Sequence, residues 1–167
     1  MDEYSQHLSD VLTEVYRNLL RVEEQAIKKS KLNLSISEMH LIEAVGRGRE
    51  KGRTVSEIAE DLSITLPSVT VAINKLMKKG YVEKNRCGKD GRVVFVHLTR
   101  EGRRIDRFHR YYHYKMVQEV SGSLTPKERD ALYNGVLKLN RFFHESIDGK
   151  TDENHPKAFT GKEGQQA

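Results

Sequence analysis

Residues 54–98 restrict the possible folds of this chain more than any other stretch. Thr54-Val55-Ser56-Glu57 has the form of a capping box, in which a threonine hydroxyl and a glutamate carboxylate satisfy amides left open at a helix start. It predicts a short helix with Ile58, Ala59 and Leu62 turned inward. Ser63 and Ile64 allow only a tight connection before Thr65, a further N-cap, with Pro67 in the first turn where a missing amide hydrogen costs little. This second helix is expected to run to Lys79 and end at Gly80, with Leu66, Val69, Ile73 and Leu76 on one face. Tyr81–Arg86 and Arg92–Leu98 are β-type runs around Cys87-Gly88-Lys89-Asp90-Gly91, which predicts a β-hairpin with a basic, glycine-containing tip.

The flanks read as helices. Leu8, Val11, Leu12, Val15, Leu19 and Val22 recur at helical spacing between Ser5 and Lys29, without Gly or Pro. Ser35-Ile36-Ser37-Glu38 opens a helix to Gly46, and Arg47 to Arg53 reads as a loop. Thr99 caps a long helix to about Val120, and Thr125-Pro126-Lys127-Glu128 starts a last one carrying Leu132, Val136, Leu139 and Phe143. From Asp148 apolar residues almost vanish, so 148–167 is expected to be a disordered tail. The expected fold is mainly α (α+β): a winged helix-turn-helix lobe over 35–122, between end helices at 1–34 and 123–147 whose apolar faces need a partner. No apolar run approaches the ~18 residues of a membrane span, and the acidic start lacks a signal peptide's basic and apolar regions. Cys87, the one cysteine, excludes an internal disulfide and fits a cytoplasmic protein.

The net charge of +5 is unevenly placed. Residues 74–110 hold twelve Lys and Arg against four acids, an excess of eight, so the remainder is net negative. Such a concentration is the footprint expected for a polyanion. Two helices at a tight turn followed by a basic hairpin suit double-stranded DNA, because a major groove about 12 Å wide admits one helix. The candidate DNA face is Pro67, Ser68, Thr70, Val71, Asn74, Lys75 and Lys78, with Arg86, Lys89, Asp90 and Arg92 from the hairpin. Ser68, Thr70 and Asn74 are expected at base edges or phosphates and Lys75 and Lys78 at phosphates. Arg92 is assigned to the minor groove, with Asp90 orienting a neighbour such as Arg86.

Thr54-Val55-Ser56-Glu57-Ile58-Ala59, Val69-Thr70, Leu76, Lys79-Gly80-Tyr81-Val82, Asp90-Gly91-Arg92 and Leu98-Thr99-Arg100-Glu101-Gly102 resemble the MarR family of bacterial transcription regulators. The resemblance spans about Tyr4 to Ile147 and implies a homodimer with interlocked end helices on a pseudo-palindromic operator. Glu38-Met39-His40 and the run from Gly102 through Arg103, Ile105, Arg107, His109 and His113 to Met116-Val117 are similar to the FabT-like subfamily, repressors of type II fatty-acid synthesis. That likeness implies long-chain acyl-acyl carrier protein as corepressor. The acyl chain needs an apolar tunnel between the first, second and fifth helices, and the acidic carrier needs basic groups such as Arg103, Arg104 and Arg107.

Glu24, His40, His109 and His113 also resemble the zinc site of the family's zinc-responsive repressors, and four N and O ligands suit tetrahedral zinc. Histidines lining an acyl pocket are preferred, because Met39 and Phe108 stand where further acidic ligands are expected, and no cofactor is assigned. A redox role for Cys87 is ranked below an incidental thiol. No GxSxG, P-loop or dinucleotide fingerprint occurs, so an enzyme is not expected. The alternative of another class is an interaction module that holds an acidic protein without DNA.

Overall fold

The computed structural model describes residues 2–30, 32–87 and 93–147. Lys89, Asp90 and Arg92 of the expected hairpin tip, and the tail 148–167, lie outside them. The chain divides into two compact units, Met1–Tyr114 and Lys115–Ala167.

In the first unit, α1 (Glu3–Lys29) starts at Asp2, whose carboxylate accepts the Ser5 amide at 2.9 Å, and ends with Lys28 and Lys29, favourable at a helix C-terminus. Of its residues only Glu23 and Ile27 are buried, so Leu8, Val11, Leu12, Val15 and Val22 of the stripe stay exposed in the single chain, with Leu19 half-buried. The capping box of α2 (Ile36–Gly46) forms as its spacing predicts: Ser35 Oγ accepts the Glu38 amide at 3.2 Å and Glu38 accepts the Ser35 amide at 2.9 Å. This helix supplies Met39, Leu41, Ile42 and Val45 to the core.

Arg47–Arg53, expected as a loop, holds a 3-10 turn at Arg49–Lys51 and begins strand β1 (Arg53–Thr54). β1 is two residues long and shows no alternation; it exists because β3 (Val93–Leu98) offers an edge, pairing Arg53 with Val96 and Thr54 with Phe95. β2 (Val82–Cys87) flanks β3 antiparallel on its other side, giving the order β1-β3-β2. Arg53 also staples the lobe: its guanidinium donates to Ala44 O, Glu57 O and Asp61 Oδ2 at 3.1, 2.8 and 2.6 Å.

α3 (Val55–Leu62) and α4 (Leu66–Lys78) form the expected pair. Ser63 takes the left-handed backbone, φ 52°, that lets the chain reverse between them, and Thr65 caps α4 through the Ser68 amide. Val69, Ile73 and Leu76 are fully buried, whereas Leu66, expected on the same face, is half exposed because it precedes the first turn that meets the core. The sheet joins α5 (Arg100–Gly122) through Thr99, whose hydroxyl donates to Gly80 O at 2.7 Å and accepts the Gly102 amide at 3.1 Å. A Cβ on Gly102 would lie 2.0 Å from Tyr81 O, so the Leu-Thr-x-x-Gly sequence is the clasp that seats α5 against the start of β2.

The second unit contains the distal turns of α5 and α6 (Pro126–Ile147), which opens on a reciprocal Thr125–Glu128 cap. None of the residues of α6 is buried; Leu132, Val136 and Phe143 are about half exposed. Among the described residues no helix is long and apolar enough to cross a membrane.

Candidate functional site

The residues proposed for DNA on α4 share one open face: Pro67, Ser68, Thr70, Val71, Asn74, Lys75 and Lys78 are all exposed, opposite buried Val69, Ile73 and Leu76. Val71 stands 69% exposed, a solvated methyl surface of the kind that meets a thymine methyl in a groove. Ser68 and Thr70 hydroxyls bond locally, to Thr65 Oγ1 and Leu66 O, both at 2.9 Å, which keeps them compact against the helix. Asn74 Oδ1 accepts Lys84 Nζ at 2.9 Å, tying the wing strand β2 to α4 and leaving the amide hydrogens outward. Arg86 is exposed on the same strand.

Glu38 fixes the seating of α4. Its carboxylate, nearly buried, meets Lys79 at 2.8 Å and Lys75 at 3.1 Å, so Lys75 braces α2 as well as facing solvent. Burial alone would raise the Glu38 pKa, but Lys79, the Ser35 amide and Lys75 outweigh it and hold the carboxyl below its usual range. Lys79 also donates to Asn33 O at 2.7 Å. Glu38→Gln is expected to cost about 2 kcal/mol of stability, between the ~0.5 of an exposed pair and the ~3 to 5 of breaking a buried one. Denaturant unfolding checks this; a cost below about 0.5 kcal/mol would mean the pairs do not hold the helix.

A second cluster joins α1, α2 and α5. Glu23 Oε2 lies 3.3 Å from His40 Nε2, Glu23 Oε1 lies 3.1 Å from His113 Nε2, and His113 Nε2 lies 3.0 Å from His109 Nε2. The sequence grouping is thereby corrected at one position: Glu24 is exposed beside Lys28, and Glu23 is the buried acid in the cluster. The signal was present, because Leu19, Glu23 and Ile27 follow at i, i+4 spacing along the face that turns inward. His109 Nδ1 faces Glu43 Oε2 at 3.5 Å, too long for a good hydrogen bond, and is buried without one. His109 first, and Arg47 at 3.2 Å, hold the Glu43 carboxyl at about 2 against the opposing effect of burial. Burial, then the neighbouring His109 ring, push the His113 imidazole below the usual histidine range.

Two hollows flank the first turns of α5. One, about 230 Å³, is mainly apolar and lined by Ser30, Leu32, Tyr81, Glu101, Arg104, Ile105 and Phe108. No cluster histidine lines this hollow. The other is an arginine-lined cleft of about 500 Å³ between α5, the α2 end and the sheet. Arg103 and Arg107 belong to this cleft and Arg104 to the apolar hollow, so the three arginines grouped in sequence serve different faces.

Residues 25–107 match the model of the transcriptional regulator SarA/Rot family. A solved structure of Streptococcus pneumoniae FabT in complex with DNA is 34% identical, with a TM-score of 0.80, covering 84% of this chain and 98% of that one. The HTH-type transcriptional regulator YfiV of Bacillus subtilis (strain 168) is 29% identical over 158 residues, 83% of this chain and 94% of its own. A MarR protein from Peptoclostridium difficile shares the fold, at 16% identity and a TM-score of 0.69, covering 86% of this chain and 92% of that one.

Proposed function

The chain belongs to the MarR family of winged helix-turn-helix transcriptional regulators, and from that premise we propose that it is a homodimeric repressor of fatty-acid-synthesis genes that takes long-chain acyl-acyl carrier protein as corepressor. The observation that carries this reading is the 34% identity to FabT over 98% of that DNA-bound chain, joined to a sequence that resembles repressors of fatty-acid synthesis. The relatives are regulators, and the chain is a regulator rather than an enzyme.

The exposed face of α4, the apolar stripes of α1 and α6 and the hollow beside α5 support this reading. The exposed face of α4 enters the major groove, with Ser68, Thr70, Val71 and Asn74 toward base edges and Lys78, Lys84 and Arg86 toward phosphates. Arg92 reaches the minor groove, so Arg92→Ala lowers operator affinity by ~1 to 3 kcal/mol, read by titration at physiological salt. Unchanged affinity would remove Arg92 from the interface. A second copy covers the exposed apolar stripes of α1 and α6 and sets two recognition helices about one helical turn apart. The apolar hollow beside α5 receives part of the acyl chain, with Arg104 at its lining to meet the acidic carrier. Mapping bound promoters across the genome tests the assignment. Occupancy of lipid-synthesis promoters that tightens with long-chain acyl carrier protein is expected, and its absence would leave a MarR-type regulator of other genes.

One observation favours a second effector reading. Glu23, His40 and His109 offer ligand atoms within 4.8 Å of one another, and His113 Nε2 lies 3.1 Å from Glu23 Oε1 and 3.0 Å from His109 Nε2, against an edge of roughly 3.3 Å in a tetrahedron with zinc-nitrogen bonds of about 2.05 Å. Glu43 stands behind His109 where a supporting carboxylate belongs. Zinc, when bound, would supply a divalent centre linking α1, α2 and α5. The residues themselves gather three donors, Glu23, His40 and His109, with His113 beside them. Zinc content of protein purified without chelator decides: about one ion per chain supports zinc as effector, and a clearly substoichiometric content removes it.

A further inference from the structure

The arginine-lined cleft lies on a different face of α5 from the apolar hollow, and neither DNA reading nor the histidine cluster uses it. Its walls bring together Arg49 from the turn after α2 and Arg100, Arg103, Arg107 and Arg110 from α5. Two of these guanidiniums are anchored: Arg103 donates to Leu98 O at 2.7 Å, and Arg110 lies 3.4 Å from Asp106 Oδ2. The guanidiniums of Arg49, Arg100 and Arg107 make no hydrogen bond or salt bridge with the described residues. Arg49 is also held in a left-handed backbone, φ 50°, a conformation that a non-glycine residue adopts only against its intrinsic preference.

Asp106 supplies the second, independent observation. It lines the cleft at 5% exposure, and its Oδ1 is buried with no hydrogen-bond partner. The carboxyl packs on Gly46, where a Cβ would lie 2.9 Å from its Cγ, so it is lodged in the wall instead of swinging out to water. An unsatisfied buried acceptor is costly and calls for a donor from whatever fills the space. Glu50 and Glu83 share the lining, so five arginines meet three acids and the cleft keeps an excess of two positive charges. Guanidinium forks match phosphate oxygens bidentately, and about 500 Å³ lies within the roughly 300 to 1,000 Å³ of small-molecule sites.

We propose that this cleft is a binding site for a small molecule bearing two or more phosphate groups together with an N–H or O–H donor that reaches Asp106, a ligand of nucleoside-diphosphate size. The arginines take the phosphates, and the buried carboxylate selects the molecule that carries a donor over the bare anion. The site is separate from the apolar hollow, so it adds a second input to the regulator.

Isothermal titration of the full-length dimer with ADP and with inorganic pyrophosphate tests this, using sulfate at equal ionic strength as the control. Both probes are expected to bind in the micromolar range, ADP about tenfold more tightly, and sulfate to give no saturable heat. Arg49→Ala and Arg107→Ala should each weaken both probes at least tenfold. Asp106→Asn should erase the preference for ADP while leaving pyrophosphate within about twofold. Lys78→Ala, on the α4 face, should change neither. Absence of binding by both probes, or binding that survives Arg49→Ala and Arg107→Ala but falls with Lys78→Ala, would overturn the proposal; the second result would place the anions on the DNA-reading surface.

Discussion

Replacing Gly102 by alanine is expected to lower the unfolding free energy by about 3 kcal/mol, at the upper end of ordinary overpacking. The added methyl would sit 2.0 Å from Tyr81 O and 3.3 Å from Leu98 Cδ2, and the first of these neighbours is backbone that cannot rotate away. Relief requires α5 to lift from β2, which breaks the Thr99 clasp to Gly80 O and the Gly102 amide together. For a chain of this length the loss corresponds to a fall in Tm of about 10 °C, compared at equal protomer concentration because dimerisation contributes to Tm. A shift under about 2 °C would show that the clasp does not seat the helix.

The second large effect concerns function with little change in stability. Thr70→Glu places a carboxylate in the middle of the exposed α4 face, next to Val71 and one turn from Asn74. Thr70 is solvated and its hydroxyl bonds only to Leu66 O, so the substitution should stay within ~0.5 kcal/mol of wild-type stability. In the groove the new charge would meet phosphates and base acceptors after removing a hydroxyl contact. Operator affinity should fall about 100-fold, or ~3 kcal/mol, the upper end of one specific contact. Fluorescence anisotropy on an operator duplex, alongside thermal unfolding, separates the two quantities. Wild-type affinity in a folded Thr70→Glu protein would move the reading surface off α4.

The features legible in sequence were those set by neighbours in the chain. Capping boxes at Ser35, Thr54 and Thr125, the turn at Ser63 and the paired β-type runs of β2 and β3 are local rules, and the structure follows them. The residues that sequence reasoning missed depend on distant partners. β1 has two residues and takes its identity from β3, and Arg53 acts by bridging α2 to α3. Asp106 reads as one more polar helix position until Gly46 is seen behind it. Two placements could be read from helix geometry alone. Glu23, not Glu24, shares the face of Ile27, and consecutive Arg103 and Arg104 point about 100° apart at 3.6 residues per turn, so they were bound to serve different hollows.

The most direct measurement of the central claim works on DNA of any sequence. Purified full-length protein is used to select from random duplexes at physiological salt, and the enriched sequences are titrated against unselected DNA. Enrichment of an inverted repeat with half-site centres about 10 base pairs apart is expected, bound at least ~10³-fold more tightly than random duplex. The Thr70→Glu protein should lose most of that ratio. Equal affinity for every duplex, governed by salt alone, would contradict sequence-specific reading by α4 and leave the basic lobe as a general polyanion-binding surface.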